Sequence, residues 1–209
     1  VMLFISIGFM YWLRAVKYAG SARITKTISA HPMSFVRAFG DVAKHRQAAM
    51  ANAVLAGVAF GIVALGWKGF VVGPSILFLA YALQVALNMF RRRDSTTLSV
   101  MFLVMLSITF LMVLPFYGHP QFDLVFNSTG LQPFLFIFGF TLAIAFVTTG
   151  FRDKPWLLVL GTLGALAAVF FAILYVLKTL DYSDAWDVLF TGSGFFTKTK
   201  IFGTVAEAN

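Results

Sequence analysis

The sequence of 209 residues contains no cysteine and little charge, and only one of its acidic residues, Glu207, is a glutamate. The lack of cysteine excludes a disulfide framework, a zinc–thiolate site and a thiol nucleophile. Charged residues make up 11% of the chain and hydrophobic residues 60%, whereas soluble domains are about half apolar and about a quarter charged. This composition predicts a membrane protein that crosses the bilayer several times.

Several sequence signatures of function are also missing. No Gly-rich loop is followed by Lys-Ser or Lys-Thr, so no nucleotide site is predicted. The three histidines, His31, His45 and His119, are far apart in the chain, and we do not expect them to form a metal site. The chain opens on an apolar run with no basic region before it, so no signal peptide is predicted. We expect the chain to be a piece of a longer protein.

Six apolar runs predict an all-α fold, a polytopic bundle of membrane-spanning helices. A helix needs about 20 apolar residues to cross the hydrocarbon core, and each internal run is long enough to do so. The predicted spans are residues 1–13, which form the end of a span, and residues 50–67, 71–90, 97–117, 131–149 and 156–177. We therefore assign residues 1–180 to a transmembrane domain and residues 181–209 to an external loop.

The placement of Lys and Arg predicts which loops face the cytoplasm. Of the 16 basic residues, 12 lie in residues 14–49, 91–96 and 150–155, and four lie elsewhere. Because cytoplasmic loops carry an excess of Lys and Arg, we expect these three loops inside the cell and the 181–209 loop outside. The net charge of +8 follows from this topology, and nucleic-acid binding is not predicted.

Two segments carry further structural signals. Between Pro32 and Gln47, apolar residues lie among basic ones. Two interpretations stay open there, an amphipathic helix on an anionic membrane face and a solvated loop. Gly57 and Gly61 form a small-x-x-x-small face, which predicts close packing against another helix.

The acidic residues near the C-terminus are candidates for chemistry. Asp181, Asp184 and Asp187 have helical i, i+3, i+6 spacing, which fits a cation site or a solvated acidic collar, and we favour the collar. Glu207 stands apart, because no Lys or Arg follows it in the next two positions. Its carboxylate could accept hydrogen bonds from an amide NH2 group or help to hold a divalent cation. The alternative is an ordinary surface glutamate.

Three short segments, in order along the chain, resemble one family. Thr204-Val205-Ala206-Glu207 is similar to the Thr-Ile-x-Glu motif of the catalytic subunit of oligosaccharyltransferase, in its archaeal form. Residues 11–17 resemble the end of a family helix that exits through aromatic and then basic residues. Residues 64–70 resemble its Trp-x-Gly-aromatic outer turn.

This resemblance implies a GT-C-like membrane domain and an enzyme of protein N-glycosylation. Such an enzyme transfers an oligosaccharide from a dolichyl phosphate or pyrophosphate carrier to the asparagine of an Asn-x-Ser/Thr sequon. The resemblance gives Glu207 the catalytic role of binding the acceptor asparagine, with Thr204 as a nearby loop contact. It also implies an extracytoplasmic active face in the plasma membrane of an archaeal cell.

The same resemblance implies parts that this chain lacks. The divalent cation, Mn²⁺ or Mg²⁺, is expected to bind mainly to Asp-x-Asp-type motifs upstream of Val1, with Glu207 as a further candidate ligand. A Trp-Trp-Asp-Tyr-Gly motif in a soluble C-terminal domain is expected beyond Asn209. We therefore expect the piece alone to be inactive.

Two other classes of protein stay open. One is another GT-C glycosyltransferase that uses polyprenyl-phosphate sugars, which would lack the sequon-reading domain. The other is a non-enzymatic transporter or scaffold subunit, which would carry intramembrane charges in the missing helices.

Overall fold

The computed structural model describes residues 1–19, 32–67, 69–91, 93–116, 132–151 and 154–179. Within these ranges the protein is all-helical, which confirms the predicted fold class. The seven α-helices are α1 (Met2–Ala19), α2 (Pro32–His45), α3 (Gln47–Gly66), α4 (Val72–Phe90), α5 (Thr96–Val113), α6 (Gln132–Gly150) and α7 (Trp156–Thr179), and a 3₁₀ turn (Leu114–Phe116) follows α5.

Five of these helices, α3 to α7, are long and apolar enough to cross a membrane. The chain therefore has the helices of an integral membrane protein. The predicted ends of these five spans agree with the helices to within about four residues. The remaining predicted span, residues 1–13, lies inside α1. This helix continues through Arg14 and Lys17, and it is not one of the five helices that are long and apolar enough to cross a membrane.

The predicted 14–49 loop contains more helix than a simple connection. The end of α1, all of α2 and the first turn of α3 lie within it. The segment from Pro32 is helical and not a loop, because α2 spans Pro32–His45. It contacts α3, α5 and α6, and its Val42 is fully buried.

The core of the bundle is a row formed by α1, α3 and α5. The helix α3 lies between the other two, and its contacts with them are the most extensive in the structure. Phe60 of α3 fixes this packing, because its ring lies against Gly8 of α1 and Gly73 of α4. A Cβ atom at Gly8 or Gly73 would come within 2.8 or 2.6 Å of that ring. The helices α1 and α4 can both approach this ring of α3 because the two facing residues have no side chain.

The predicted small-residue face of α3 packs against α5, as expected. A Cβ atom on Gly57 would lie 2.6 Å from the Met105 carbonyl oxygen, and one on Gly61 would lie 2.5 Å from the Met112 sulfur. Thr109 of α5 donates a hydrogen bond from its hydroxyl to the Gly57 carbonyl at 3.1 Å. Close approach of the two backbones therefore brings a polar contact into the apolar interface.

Contacts along the helices establish their directions. Phe9 packs on Phe60 with ring centroids 5.8 Å apart, while the end of α1 meets the start of α3 through Arg46. These contacts make α1 antiparallel to α3. At the same level, Phe90 at the end of α4 packs on Trp156 at the start of α7, with ring centroids 4.9 Å apart.

One end of the bundle, called the basic end below, therefore collects the last turns of α1, α4 and α6 and the first turns of α3, α5 and α7. Every Lys and Arg whose side chain the structure describes lies at this end or within about two turns of it. These residues are Arg14, Lys17, Arg37, Lys44, Arg46, Arg91, Arg93 and Lys154.

Candidate functional site

The residues predicted to carry chemistry lie outside the described ranges. The predicted acceptor-site residues, Glu207 and Thr204, lie outside these ranges, and so do Asp181, Asp184 and Asp187. Their predicted roles therefore stay predictions. Of the described helices, α7 is the one that precedes these residues in the chain, and its direction indicates on which side of the bundle the chain continues.

The helix α7 determines where the chain leaves the bundle before the predicted motif. It begins at Trp156 beside Phe90, at the basic end. Its 24 residues extend to Thr179, a length of about 36 Å at 1.5 Å per residue, which exceeds the roughly 30 Å of the hydrocarbon core. Phe136 and Phe140 of α6 both pack on Phe170, which places the middle of α7 beside α6. The chain leaves α7 at the end opposite to the basic end.

At the basic end, one arginine joins two elements. Arg46 lies between α2 and α3, only 8% exposed, and its Nη1 donates a 2.7 Å hydrogen bond to the Ala19 carbonyl at the end of α1. The last carbonyls of a helix have no partner within the helix and carry partial negative charge. The guanidinium group satisfies one of them and holds the end of α1 against the α2–α3 junction.

A second polar cluster joins α4 to α5. The hydroxyl groups of Tyr81 and Ser99 form a 2.8 Å hydrogen bond, and both residues are buried. Closer to the basic end, Asn88 of α4 donates a hydrogen bond from Nδ2 to Ser95 Oγ, just before α5, at 3.2 Å. Gln84 in turn donates from Nε2 to Asn88 Oδ1 at 3.0 Å. The Tyr81 and Ser99 hydroxyl groups are buried and need such a partner in an apolar environment, whereas the Gln84–Asn88 contact is exposed.

The turn between α4 and α5 ends in a side-chain contact with the first residue of α5. Asp94 Oδ1 accepts hydrogen bonds from the Thr96 backbone N–H at 3.0 Å and from the Thr96 hydroxyl at 2.6 Å. A carboxylate just before a helix can satisfy a free N–H group of its first turn and interact favourably with the helix dipole. Asp94 therefore starts α5, and nothing in this arrangement requires it to take part in a reaction.

An aromatic group lies beside this cluster. The rings of Tyr81 and Phe102 stack with centroids 4.7 Å apart and planes within 3°. Trp12 of α1 packs edge-on against Phe102 at 5.1 Å. The arrangement ties α1, α4 and α5 together in the half of the bundle nearer to the basic end, and it has the features of a packed core.

Among the residues that the structure describes, no three His, Cys, Asp or Glu side chains come together as a metal site. His45 uses Nδ1 for a 3.0 Å contact with the Asp41 carbonyl oxygen, one helical turn earlier. This contact belongs to the end of α2. The described clusters therefore position helices, and the predicted cation ligands are to be sought elsewhere.

Sequence reasoning missed the Arg46 and Tyr81 contacts. The spacing of Tyr81, Gln84 and Asn88 was a usable signal, because residues three, four and seven apart share one face of a helix. Arg46 looked like one more basic loop residue, and nothing in its neighbourhood in the sequence marked it as buried.

No protein-family model, no curated protein and no solved structure matches this chain.

Proposed function

We propose that this chain is the central-to-late part of the membrane domain of an oligosaccharyltransferase catalytic subunit with a GT-C-like fold. The enzyme transfers an oligosaccharide from a dolichyl phosphate or pyrophosphate carrier to the asparagine of an Asn-x-Ser/Thr sequon. The observation that carries the proposal is Thr204-Val205-Ala206-Glu207, which follows α7 in the sequence. Because α7 ends opposite to the basic end, the motif belongs outside the membrane if the basic end is cytoplasmic.

The proposed chemistry explains why a carboxylate is needed. The nitrogen of an asparagine amide is a poor nucleophile, because its lone pair is delocalised into the carbonyl group. A carboxylate that accepts hydrogen bonds from the N–H groups polarises them and orients the amide toward the sugar. Glu207 takes this catalytic role in the proposal, and Thr204 contacts the acceptor peptide in the same loop.

A divalent cation, Mn²⁺ or Mg²⁺, would stabilise the phosphate leaving group. The described residues do not fit such a site, since they provide no cluster of acidic or histidine ligands. In the proposal, as the resemblance implies, the cation is bound mainly by residues outside this chain, with Glu207 as a candidate ligand.

The proposal places the enzyme in the plasma membrane of an archaeal cell, with the basic end in the cytoplasm and the active face outside. Its partners are the lipid-linked oligosaccharide, the acceptor polypeptide and the bilayer itself. The seven helices contribute the lipid-facing scaffold from which the external loop extends.

The test uses the full-length parent protein and compares Glu207→Gln with wild type. Transfer of a lipid-linked glycan to an Asn-x-Thr peptide is measured at equal protein concentration. Gln keeps the size of the side chain and removes its charge, so we expect transfer to fall on the order of 100-fold. Asp184→Asn is the matched control, because it removes one negative charge from the predicted acidic collar and should leave transfer unchanged.

Transfer by Glu207→Gln at the wild-type rate would make Glu207 a surface residue. An equal loss in Asp184→Asn would show that the charge of the loop matters and not the motif. No transfer by the wild-type protein would reject the proposed activity, and transfer of sugar to a non-peptide acceptor would favour another GT-C glycosyltransferase.

A further inference from the structure

One exposed face of α1 carries an open, shallow depression of about 520 Å³ that this helix alone lines, called the α1 groove. Its lining combines an apolar stretch with two cations at one end. The lining residues are Ser6, Phe9, Met10, Leu13, Arg14 and Lys17. All belong to α1 and recur at spacings of three and four residues, so they share one side of the helix. The groove is independent of the predicted acceptor site.

The length of this groove matches one leaflet of a bilayer. From Ser6 to Lys17 the helix rises about 16 Å at 1.5 Å per residue, which is about half of the roughly 30 Å hydrocarbon core. The apolar stretch lies toward the middle of the bundle, and the cations lie toward the basic end. A membrane lipid has the same division, with a hydrocarbon chain in the core and a phosphate at the surface.

The two cations are available to an anion. Arg14 and Lys17 are exposed, and within the described ranges neither forms an ion pair with a carboxylate. The guanidinium carbon of Arg14 lies 6.0 Å from the centre of the Tyr11 ring, which restrains the side chain without neutralising its charge. Residues three apart on a helix have Cβ atoms about 5–6 Å apart, so one phosphate can contact both.

The apolar stretch beside the two cations favours a lipid over a small soluble anion. Arg14 precedes the Ala19 carbonyl, which Arg46 binds, by five residues, or about 7 Å along the axis. A cation at that depth extends toward the surface and attracts anionic headgroups. A small soluble anion would make contact with the cations alone and would leave the apolar half of the groove unused.

We propose that the α1 groove binds one anionic phospholipid from the leaflet at the basic end of the bundle. The phosphate lies between Arg14 and Lys17, and one hydrocarbon chain runs along Met10 and Leu13. The bound lipid covers outward-facing side chains of α1, where Leu13 is 67% exposed and Met10 is 40% exposed.

Native mass spectrometry of the full chain in detergent tests this proposal. Phosphatidylglycerol is the probe, phosphatidylcholine is its zwitterionic counterpart, and glycerol phosphate is the soluble anion. We expect the double variant Arg14→Gln/Lys17→Gln to bind phosphatidylglycerol about 30-fold more weakly than wild type. The matched control is Arg37→Gln/Lys44→Gln, which removes the same charge from exposed positions of α2 and should bind as wild type does.

A second variant tests the apolar half of the groove. Met10→Trp fills the groove without changing charge, and we expect it to weaken phosphatidylglycerol binding while leaving the thermal unfolding temperature unchanged. Equal losses in the α1 and α2 double variants would overturn the site, because they would indicate general attraction by net charge. Equal binding of phosphatidylcholine, or displacement by glycerol phosphate at comparable concentration, would overturn the assignment to an anionic lipid.

Discussion

At the residue scale, the contact of Gly57 with α5 leaves no room for a side chain. A Cβ atom there would lie 2.6 Å from the Met105 carbonyl oxygen and 2.8 Å from the Ile108 Cβ. We expect Gly57→Ala to lower the free energy of unfolding by about 1–3 kcal/mol, because two backbones must separate to admit one methyl group. Chemical or thermal unfolding in detergent measures this change.

The control for Gly57→Ala is in the same helix. Gly66 has no atom within 4 Å of a Cβ built on it, so Gly66→Ala should be neutral or slightly stabilising. If both variants unfold at the same temperature, the close approach of α3 and α5 does not contribute to stability as described.

The prediction for Arg46 also concerns a single contact, and its effect should appear in the end of α1. Arg46→Met keeps a long side chain but removes the charge-assisted hydrogen bond to the Ala19 carbonyl. Such bonds contribute about 1.5–3 kcal/mol, so we expect amide hydrogen exchange in the last turn of α1 to rise about 10- to 150-fold.

Lys44→Met serves as its control, since Lys44 is exposed at the end of α2. Removing that charge should leave exchange in α1 unchanged. Unchanged exchange in Arg46→Met would mean that the hydrogen bond does not restrain α1.

At the element scale, apolar runs and their lengths predicted the helices well and their partners poorly. The runs at 71–90 and 156–177 correspond closely to α4 and α7, because about 20 apolar residues can form little else in a membrane. The helix α1 continues past residue 13, the predicted end of the first span, through Arg14 and Lys17.

The faces of the helices were harder to predict than their ends. In a soluble protein the buried face is apolar and the other face polar, but here lipid and core are equally apolar. Only small residues marked a packed face, and Gly57 with Gly61 was the instance that sequence reasoning found. The Tyr81–Ser99 and Arg46–Ala19 pairs join positions 18 and 27 residues apart, and sequence spacing alone does not indicate such partners. The candidate acceptor site depends on the sequence motif, because its residues lie outside the described ranges.

At the scale of the whole molecule, the basic end predicts an orientation that can be measured directly. The chain has no cysteine, so single cysteines can be introduced without removing any. We expect Asp41→Cys and Lys154→Cys to react with a membrane-impermeant maleimide only after the cytoplasmic face is opened. Ser193→Cys, in the predicted external loop, should react in intact cells.

Matched labelling in a detergent extract controls for reactivity of each thiol. Reaction of Asp41→Cys in intact cells, with Ser193→Cys protected, would reverse the orientation. It would also place the predicted motif in the cytoplasm, which is incompatible with the proposed site on the external face.

The row of α1, α3 and α5 has a consequence for how the chain is made. The ribosome completes α3 before α5 exists, so the glycine face of α3 enters the bilayer without the helix it fits. The end of α5 follows the end of α3 by roughly 50 residues, a delay of about 2–10 s at ordinary rates of elongation. During that interval the notch at Gly57 and Gly61 is filled by lipid or by the insertion machinery. When α5 packs against α3, it therefore has to displace whatever covered Gly57 and Gly61 before. The contact between α3 and α5 cannot form until α5 has been made.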